Sequence, residues 1–261
     1  MKYISTSLVS LTLALNCFAQ TIEISDDTGR KVKLDRPAQR IISLAPHITE
    51  NLFAAGAGEL LVGAVSYSDY PEQAKDIPRI GGYNNFDVEA ILALRPDLVI
   101  GWTEGNQKQQ VERLIELGIT VYINSPGQLE DIAGNIQDYG ILTGHKSYSI
   151  KTSDDFMQRL HTLKKSYSKQ DKISVFYQTW HQPLLTVNQH QLIGQIIKLC
   201  GGSNIFADLK PLTPQVSLES VLQHNPDVII TSGMDKARPD WLNDWKKWSF
   251  LNAVKYDQLY F

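Results

Sequence analysis

The chain has 261 residues, of which 43% are hydrophobic and 20% charged, with 17 glycines and 11 prolines; that composition excludes a disordered, collagen-like or simple coiled-coil protein. Its 25 Lys and Arg against 28 Asp and Glu give a formal charge of −3, and no long basic run is present to follow a phosphate backbone, so nucleic acid is excluded as a partner. The length suits one large domain or two lobes.

At the start, Lys2, a mostly apolar stretch from Ile4 to Leu15 and Cys17-Phe18-Ala19 predict an export signal over 1–19, cleaved after Ala19. A buried N-terminal strand is the alternative. Cys17 is poorly placed to carry a lipid, because Leu15-Asn16 before it lacks the small residues of that motif. No other stretch is apolar enough to cross a bilayer. Cleavage would leave Cys200 as a solitary cysteine, unusual in an oxidising compartment.

Residues 21–25 and 31–34 flank Asp26-Asp27-Thr28-Gly29 and read as a hairpin. It opens a first lobe over 20–143, in which strands at 41–45, 61–65, 98–101 and 120–123 alternate with helices at 49–55, 88–94, 107–117 and 129–142. Such alternation means a parallel sheet covered by helices. Between residues 145 and 182 there is neither Gly nor Pro, while Phe156, Met157, Leu160, Leu163 and Tyr167 recur at helical spacing. This predicts a stiff linking helix within 144–171, roughly 22 residues and so about 33 Å long. A second lobe over 172–261 carries strands at 173–178 and 228–231, helices at 192–200, 218–223 and 239–248, and a strand near 256–261.

A repeat ties the lobes together. Residues 87–100 and 217–230 each open with a capping residue (Asp87, Ser217), run two helical turns, stop at a proline (Pro96, Pro226) and continue through Asp into a β-branched run. The fold class that follows is α/β: two Rossmann-like lobes, each a parallel sheet flanked by helices, joined by one long helix. Counted against the first copy, the second stops one helix short. The repeat therefore predicts a truncated C-terminal lobe, whose lost piece would hold a partner for Cys200.

Enzyme signatures are missing: there is no G-x-S-x-G, Walker loop, H-E-x-x-H or C-x-x-C, and Gly56-Ala-Gly58 lacks the third glycine of a dinucleotide site. None of the six histidines (47, 145, 161, 181, 190, 224) shares a helical turn with another in metal-ligand spacing. His47 follows Pro46 at a strand end, where a parallel-sheet cleft opens, although a solvated loop histidine is the simpler reading. Aromatics crowd the same kind of place: Tyr67, Tyr70, Tyr83, Phe86, Trp102 and Trp180 all follow strands or lie in the loops there. They suggest a broad, flat, apolar ligand held between lobes. Trp241, Trp245 and Trp248, at i, i+4 and i+7, read as core packing instead. Glu89 and Glu219 occupy equal positions in the repeat, in the first turn of each helix. The helix dipole is reason enough for either alone, but together they would place two carboxylates on one exterior face, able to meet two arginines of a pseudo-symmetric or dimeric partner.

From Arg40 onward the sequence resembles the periplasmic binding proteins of ABC importers that have a rigid inter-lobe helix, and within them the cobalamin-binding branch. The residues carrying the likeness are Arg40-Ile-Ile-Ser-Leu-Ala-Pro46 with Thr49-Glu50, Tyr67-Ser-Asp-Tyr-Pro71, Pro96-Asp-Leu-Val-Ile100 with Trp102, Leu199-Cys-Gly-Gly-Ser-Asn-Ile-Phe206 and Pro214-Gln-Val-Ser217. The resemblance implies a periplasmic, non-enzymatic protein, monomeric when free and without cofactor or resident metal, that captures cobalamin and delivers it to a permease dimer. It implies a corrin site lined by Tyr67, Tyr83, Trp102 and Trp180 with Pro46 and His47, docking through Glu89 and Glu219, and a disulfide from Cys200 to a cysteine beyond residue 261. Tyr83 stands where that branch carries tryptophan, and Thr213 stands where it can carry an aromatic. A haem or ferric-siderophore binder of the same fold and an exported enzyme with an inter-lobe cleft are the rival readings.

Overall fold

The computed structural model describes residues 21–167, 170–232 and 239–261; the expected export signal and Cys17 lie outside them. The chain opens as an antiparallel hairpin, β1 (Ile22–Ser25) and β2 (Lys31–Leu34), whose alternation sends Val32 and Leu34 into the core. Its turn is built on Asp26, which accepts from the amides of Thr28 at 3.0 Å and Arg30 at 2.9 Å and pairs with the Arg30 guanidinium at 3.1 Å. The second carboxylate oxygen accepts from the Ile123 amide at 3.2 Å, fastening the hairpin to the first sheet.

That lobe follows as β3 (Ile41–Ser43), α1 (Pro46–Ala54), β4 (Leu61–Ala64), a small hairpin of β5 (Gly81–Gly82) and β6 (Asn85–Phe86), α2 (Val88–Ala93), β7 (Leu98–Trp102), α3 (Lys108–Glu116), β8 (Val121–Asn124) and α4 (Asp131–Thr143). Next come the linking helix α5 (Lys146–Tyr167), then β9 (Ile173–Gln178), α6 (Leu192–Leu199), β10 (Gly202–Asn204), α7 (Leu218–His224), β11 (Val228–Thr231), α8 (Asn252–Lys255) and β12 (Leu259–Tyr260). The two main sheets run β4-β3-β7-β8 and β10-β9-β11-β12, all strands parallel, so both lobes have the same order. Ile41, Ile42 and residues 98–100 are fully buried, as expected of strands covered on both faces.

The repeat has a physical basis. Asp87 accepts from the amides of Glu89 and Ala90, and Ser217 from that of Ser220, so each helix starts on a side-chain cap. Each helix ends in a left-handed residue before its proline, Arg95 with φ 47° and Asn225 with φ 45°. The aspartate after the proline then ties down the first strand of its own sheet. Asp97 accepts from the amides of Gln39 and Arg40, both at 2.9 Å, and Asp227 from the amide of Ser174 at 3.1 Å and its hydroxyl at 2.6 Å.

Several sequence expectations need correction. Strand β3 ends at Ser43, and α1 begins at Pro46 rather than at residue 49, because proline suits the first helical turn, whose amides have no partner in the helix. Phe86 is core, buried under the β5–β6 hairpin, and not a site aromatic. The segment expected as an α-helix over 239–248 is a 3₁₀ helix, Asp240–Lys247. At three residues per turn, Trp245 and Trp248 share a face while Trp241 is rotated away by about 120°. On α5 the predicted apolar stripe is packed only in part: Leu160 is buried and Phe156 half-buried, but Met157, Leu163 and Tyr167 are exposed, and the other buried residues are Ser149 and Ser153. The helix meets α4 through small residues, so closely that a Cβ on Gly140 would lie 1.8 Å from the Ser149 hydroxyl.

The lobes also touch away from α5. Gln195 on α6 donates to the carbonyl of Gly127 at 2.7 Å and accepts from the amide of Leu129 at 3.2 Å, so one side-chain amide pairs with the backbone loop after β8.

Candidate ligand site at the strand ends

In a parallel sheet the loops leaving the carboxyl ends of the strands form the ligand edge. In the first lobe three rings meet there. Trp102, the last residue of β7, has His47 edge-on at 5.1 Å and 82°, and Tyr83 tilted against it at 5.9 Å. Two asparagines hold the group. Asn106 accepts from the Trp102 amide at 2.6 Å and donates to the carbonyls of Leu44 at 2.9 Å and Tyr83 at 2.6 Å, so one buried amide joins three loops. Asn124, at the end of β8, lies 3.0 Å from His47 Nε2. Gly105 passes beneath the indole, where a Cβ would stand 2.0 Å from the ring.

His47 is therefore not a solvated loop residue. It follows Pro46 in the first turn of α1, half-buried, and burial lowers its pKa against the opposing effects of its Asn124 contact and the Glu104 charge. Burial thus favours the neutral ring.

Tyr67 lies on the loop after β4, 57% exposed and in the left-handed region at φ 66°. A tyrosine persists in that conformation only where its surroundings over-determine it. Here they do: Ser68 is buried beside Thr49 at 3.2 Å, and Thr49 is 2.8 Å from Ser43. Arg79 clamps the same loop, donating to the Ser68 carbonyl at 2.8 Å and pairing with Asp69 at 3.1 Å. Tyr70, next along, is exposed. Neither tyrosine has a ring contact with the Trp102 group among the described residues.

The second lobe offers a matching wall. Trp180, two residues past β9, is 38% exposed, donates its indole N–H to the Gln182 carbonyl at 3.0 Å and leans on Trp241 at 5.9 Å. His181 stacks on Trp241 as well, 13° from parallel at 5.9 Å. Trp241 is pinned through its indole N–H to Thr231 at 3.1 Å, and Trp245 to Gln178 at 2.8 Å, both acceptors being at strand ends. Trp241 thus belongs to the strand-end wall, and the expectation of core packing holds for Trp245, which is buried, and for Trp248, which is half-buried against the same core. A cavity of about 350 Å³ opens here, lined in part by His181, Trp241, Trp245, Trp248 and Leu218. Sequence reading missed Asn106, Asn124, His181 and Trp241. Among the described residues no cluster of His, Cys, Asp and Glu could hold a metal ion.

Glu89 and Glu219 are exposed in the first turns of α2 and α7. Since each helix runs back toward the amino end of the parallel strand that follows it, its first turn lies at the carboxyl edge of the sheet. Leu218, beside Glu219, lines the cavity. The carboxylates therefore lie toward the carboxyl edges of their sheets, the same edges at which the aromatic walls stand. Cys200 is exposed and unpaired among the described residues.

Two topologically equal parallel-sheet lobes, a 22-residue helix between them and aromatic walls at the strand ends are the architecture of a two-lobed binding protein. The chain belongs to the periplasmic binding protein family, which matches residues 41–261. It is 40% identical over 225 residues to the vitamin B12-binding protein of Vibrio cholerae serotype O1, covering 86% of this chain and 80% of the relative. Among solved structures it is similar to the periplasmic vitamin B12 binding protein of Vibrio cholerae, with a TM-score of 0.77, 39% identity and coverage of 86% and 87% of the two chains. The periplasmic haem binding protein of the same organism superposes with a TM-score of 0.73 at 21% identity over 85% and 88% of the chains, a likeness of fold. No helix among the described residues is long and apolar enough to cross a membrane.

Proposed function

We propose that this protein captures cobalamin in the periplasm between its two lobes and delivers it to the permease dimer of an ABC importer, without catalysing a reaction. The observation that carries the reading is the pair of aromatic walls at the strand ends, His47, Tyr83 and Trp102 on one lobe and Trp180 and Trp241 on the other. A corrinoid presents a large flat face with amide side arms. Burial of that face against aromatics supplies affinity at about 25 cal/mol per Å², and a few polar groups fix orientation. No protein ligand to cobalt is needed. Tyr67 and Pro46 complete the first-lobe wall. Glu89 and Glu219 dock on permease arginines, and residues 1–19 direct export.

Calorimetry and visible spectra with cyanocobalamin, haemin and a ferric siderophore test the reading. Saturable one-to-one binding of cyanocobalamin, with the other two at least about 100-fold weaker, is expected. Tighter binding of haemin or siderophore, or substrate turnover by the chain alone, would overturn it.

A further inference from the structure

Among the described residues, His47 has one ring nitrogen engaged and one free. The engaged one is fixed, through Asn124, by a residue of the opening hairpin. Asp27, in the β1–β2 turn, accepts from the Ser125 amide at 2.6 Å, the Asn135 side-chain amide at 3.1 Å and the Asn124 side-chain amide at 3.4 Å. A carboxylate so surrounded by donors is an acceptor. It therefore requires the NH₂ group of Asn124 on its own side and turns Oδ1 of Asn124 toward His47. That oxygen, 3.0 Å from Nε2, can only accept, so Nε2 must carry the hydrogen. In a neutral imidazole the lone pair then rests on Nδ1. This atom has no hydrogen-bond partner among the described residues and is not one of their fully buried unpartnered atoms, and its ring lies edge-on to Trp102.

We propose that Asp27 and Asn124 are positioning residues that lock His47 in its Nε2–H tautomer, so that Nδ1 accepts a hydrogen bond from an N–H donor of the ligand. Resting on the corrinoid reading above, this assigns the donor to a side-arm amide. The surroundings favour the uncharged ring that an acceptor must be: burial and the N-terminus of α1 oppose a proton, while Glu104 and, behind Asn124, Asp27 are the charged groups on its side that work the other way. Were Nδ1 protonated, it would confront an amide N–H with another donor.

Two measurements decide the matter. Long-range ¹⁵N–¹H correlation spectra of the labelled chain, with His47 signals assigned by their loss in His47→Gln, should show a pyrrole-like Nε2 and a pyridine-like Nδ1. Asp27→Asn should mix the two tautomers, because Asn124 is then free to turn over. Titration with cyanocobalamin should show His47→Gln, which keeps a donor toward Asn124 but no acceptor at the Nδ1 position, weakened roughly tenfold. His47→Asn, whose oxygen can stand near Nδ1, should lose less. Among monocarboxylic derivatives of cyanocobalamin, each with one side-arm amide hydrolysed, one should bind the wild type and His47→Gln equally, since its donor is gone. An Nδ1–H tautomer overturns the proposal. So does equal affinity of wild type and His47→Gln for cyanocobalamin, a result that leaves the corrinoid reading standing. A wild type that binds no cyanocobalamin removes that reading and the amide assignment together, while the spectra still report the tautomer.

Discussion

Trp102 shows how a ligand wall is set by the backbone under it. Its amide is held by Asn106, its ring rests over Gly105, and His47 and Tyr83 brace its edges. The indole is thus fixed before any ligand arrives, and little rotamer entropy is lost on binding. Trp102→Ala should weaken cyanocobalamin binding by about 2 to 3 kcal/mol, with Trp102→Phe recovering part of it; calorimetry reads both, and an unchanged affinity would remove Trp102 from the site. The aromatic members of this wall are legible in the sequence because large rings after strand ends are conspicuous. Their supports are not. Asn106 reaches Leu44 across 62 residues of chain and Asn124 reaches His47 across 77, separations that carry no periodic signal. Trp241 departs from expectation for a different reason: its spacing suits an α-helix, whereas the segment is 3₁₀.

Helices α2 and α7 are short, at six and seven residues, and could not persist alone. Caps, left-handed ends and the following aspartates make each a fixed bracket between sheet edges. That is why the repeat is so visible: the same three devices fall at the same offsets, with the proline and the aspartate after it identical in both copies. Strand β10 was invisible, since Gly202-Ser-Asn204 has no β-branched residue and is held by backbone pairing to β9 and by Asn204 donating to the Val187 carbonyl at 2.7 Å. The bracket is testable at Asp227, whose carboxyl is held below its ordinary pKa chiefly by hydrogen bonds from the Ser174 hydroxyl and amide. Asp227→Ala should lower stability at neutral pH by about 1 to 2 kcal/mol in urea unfolding. A carboxylate with a depressed folded-state pKa stabilises above its unfolded value of about 3.9 and loses that contribution as pH falls through the folded value. The gap between wild type and variant should therefore be full at pH 7 and narrow below about pH 4. A gap that widens in acid would contradict the assigned role.

At the scale of the molecule, the lobes are joined by the 22-residue α5, about 33 Å long, and by the Gln195 contact to the loop after β8. That loop also receives Asp27 at Ser125, so the hinge side, the hairpin and the His47 group share one stretch of backbone. A body connected in this way opens little on its own. On the function proposed above, release of the ligand requires work from outside, and Glu89 and Glu219, exposed in the first turns of α2 and α7, one per lobe, are the residues proposed to receive it. Reversing both, Glu89→Lys with Glu219→Lys, removes a favourable dipole interaction of about 0.3 to 1 kcal/mol from each helix, which the fold can absorb. Against partner arginines the same change places like charges in contact, costing several kcal/mol. Cyanocobalamin affinity should stay within about threefold of wild type while permease pull-down and uptake are lost, with each single reversal intermediate. Because Leu218 lines the cavity beside Glu219, calorimetry on the double variant must accompany the uptake assay. If the double variant binds ligand normally and uptake is also normal, the two glutamates serve only their helix N-termini and docking lies elsewhere on the surface.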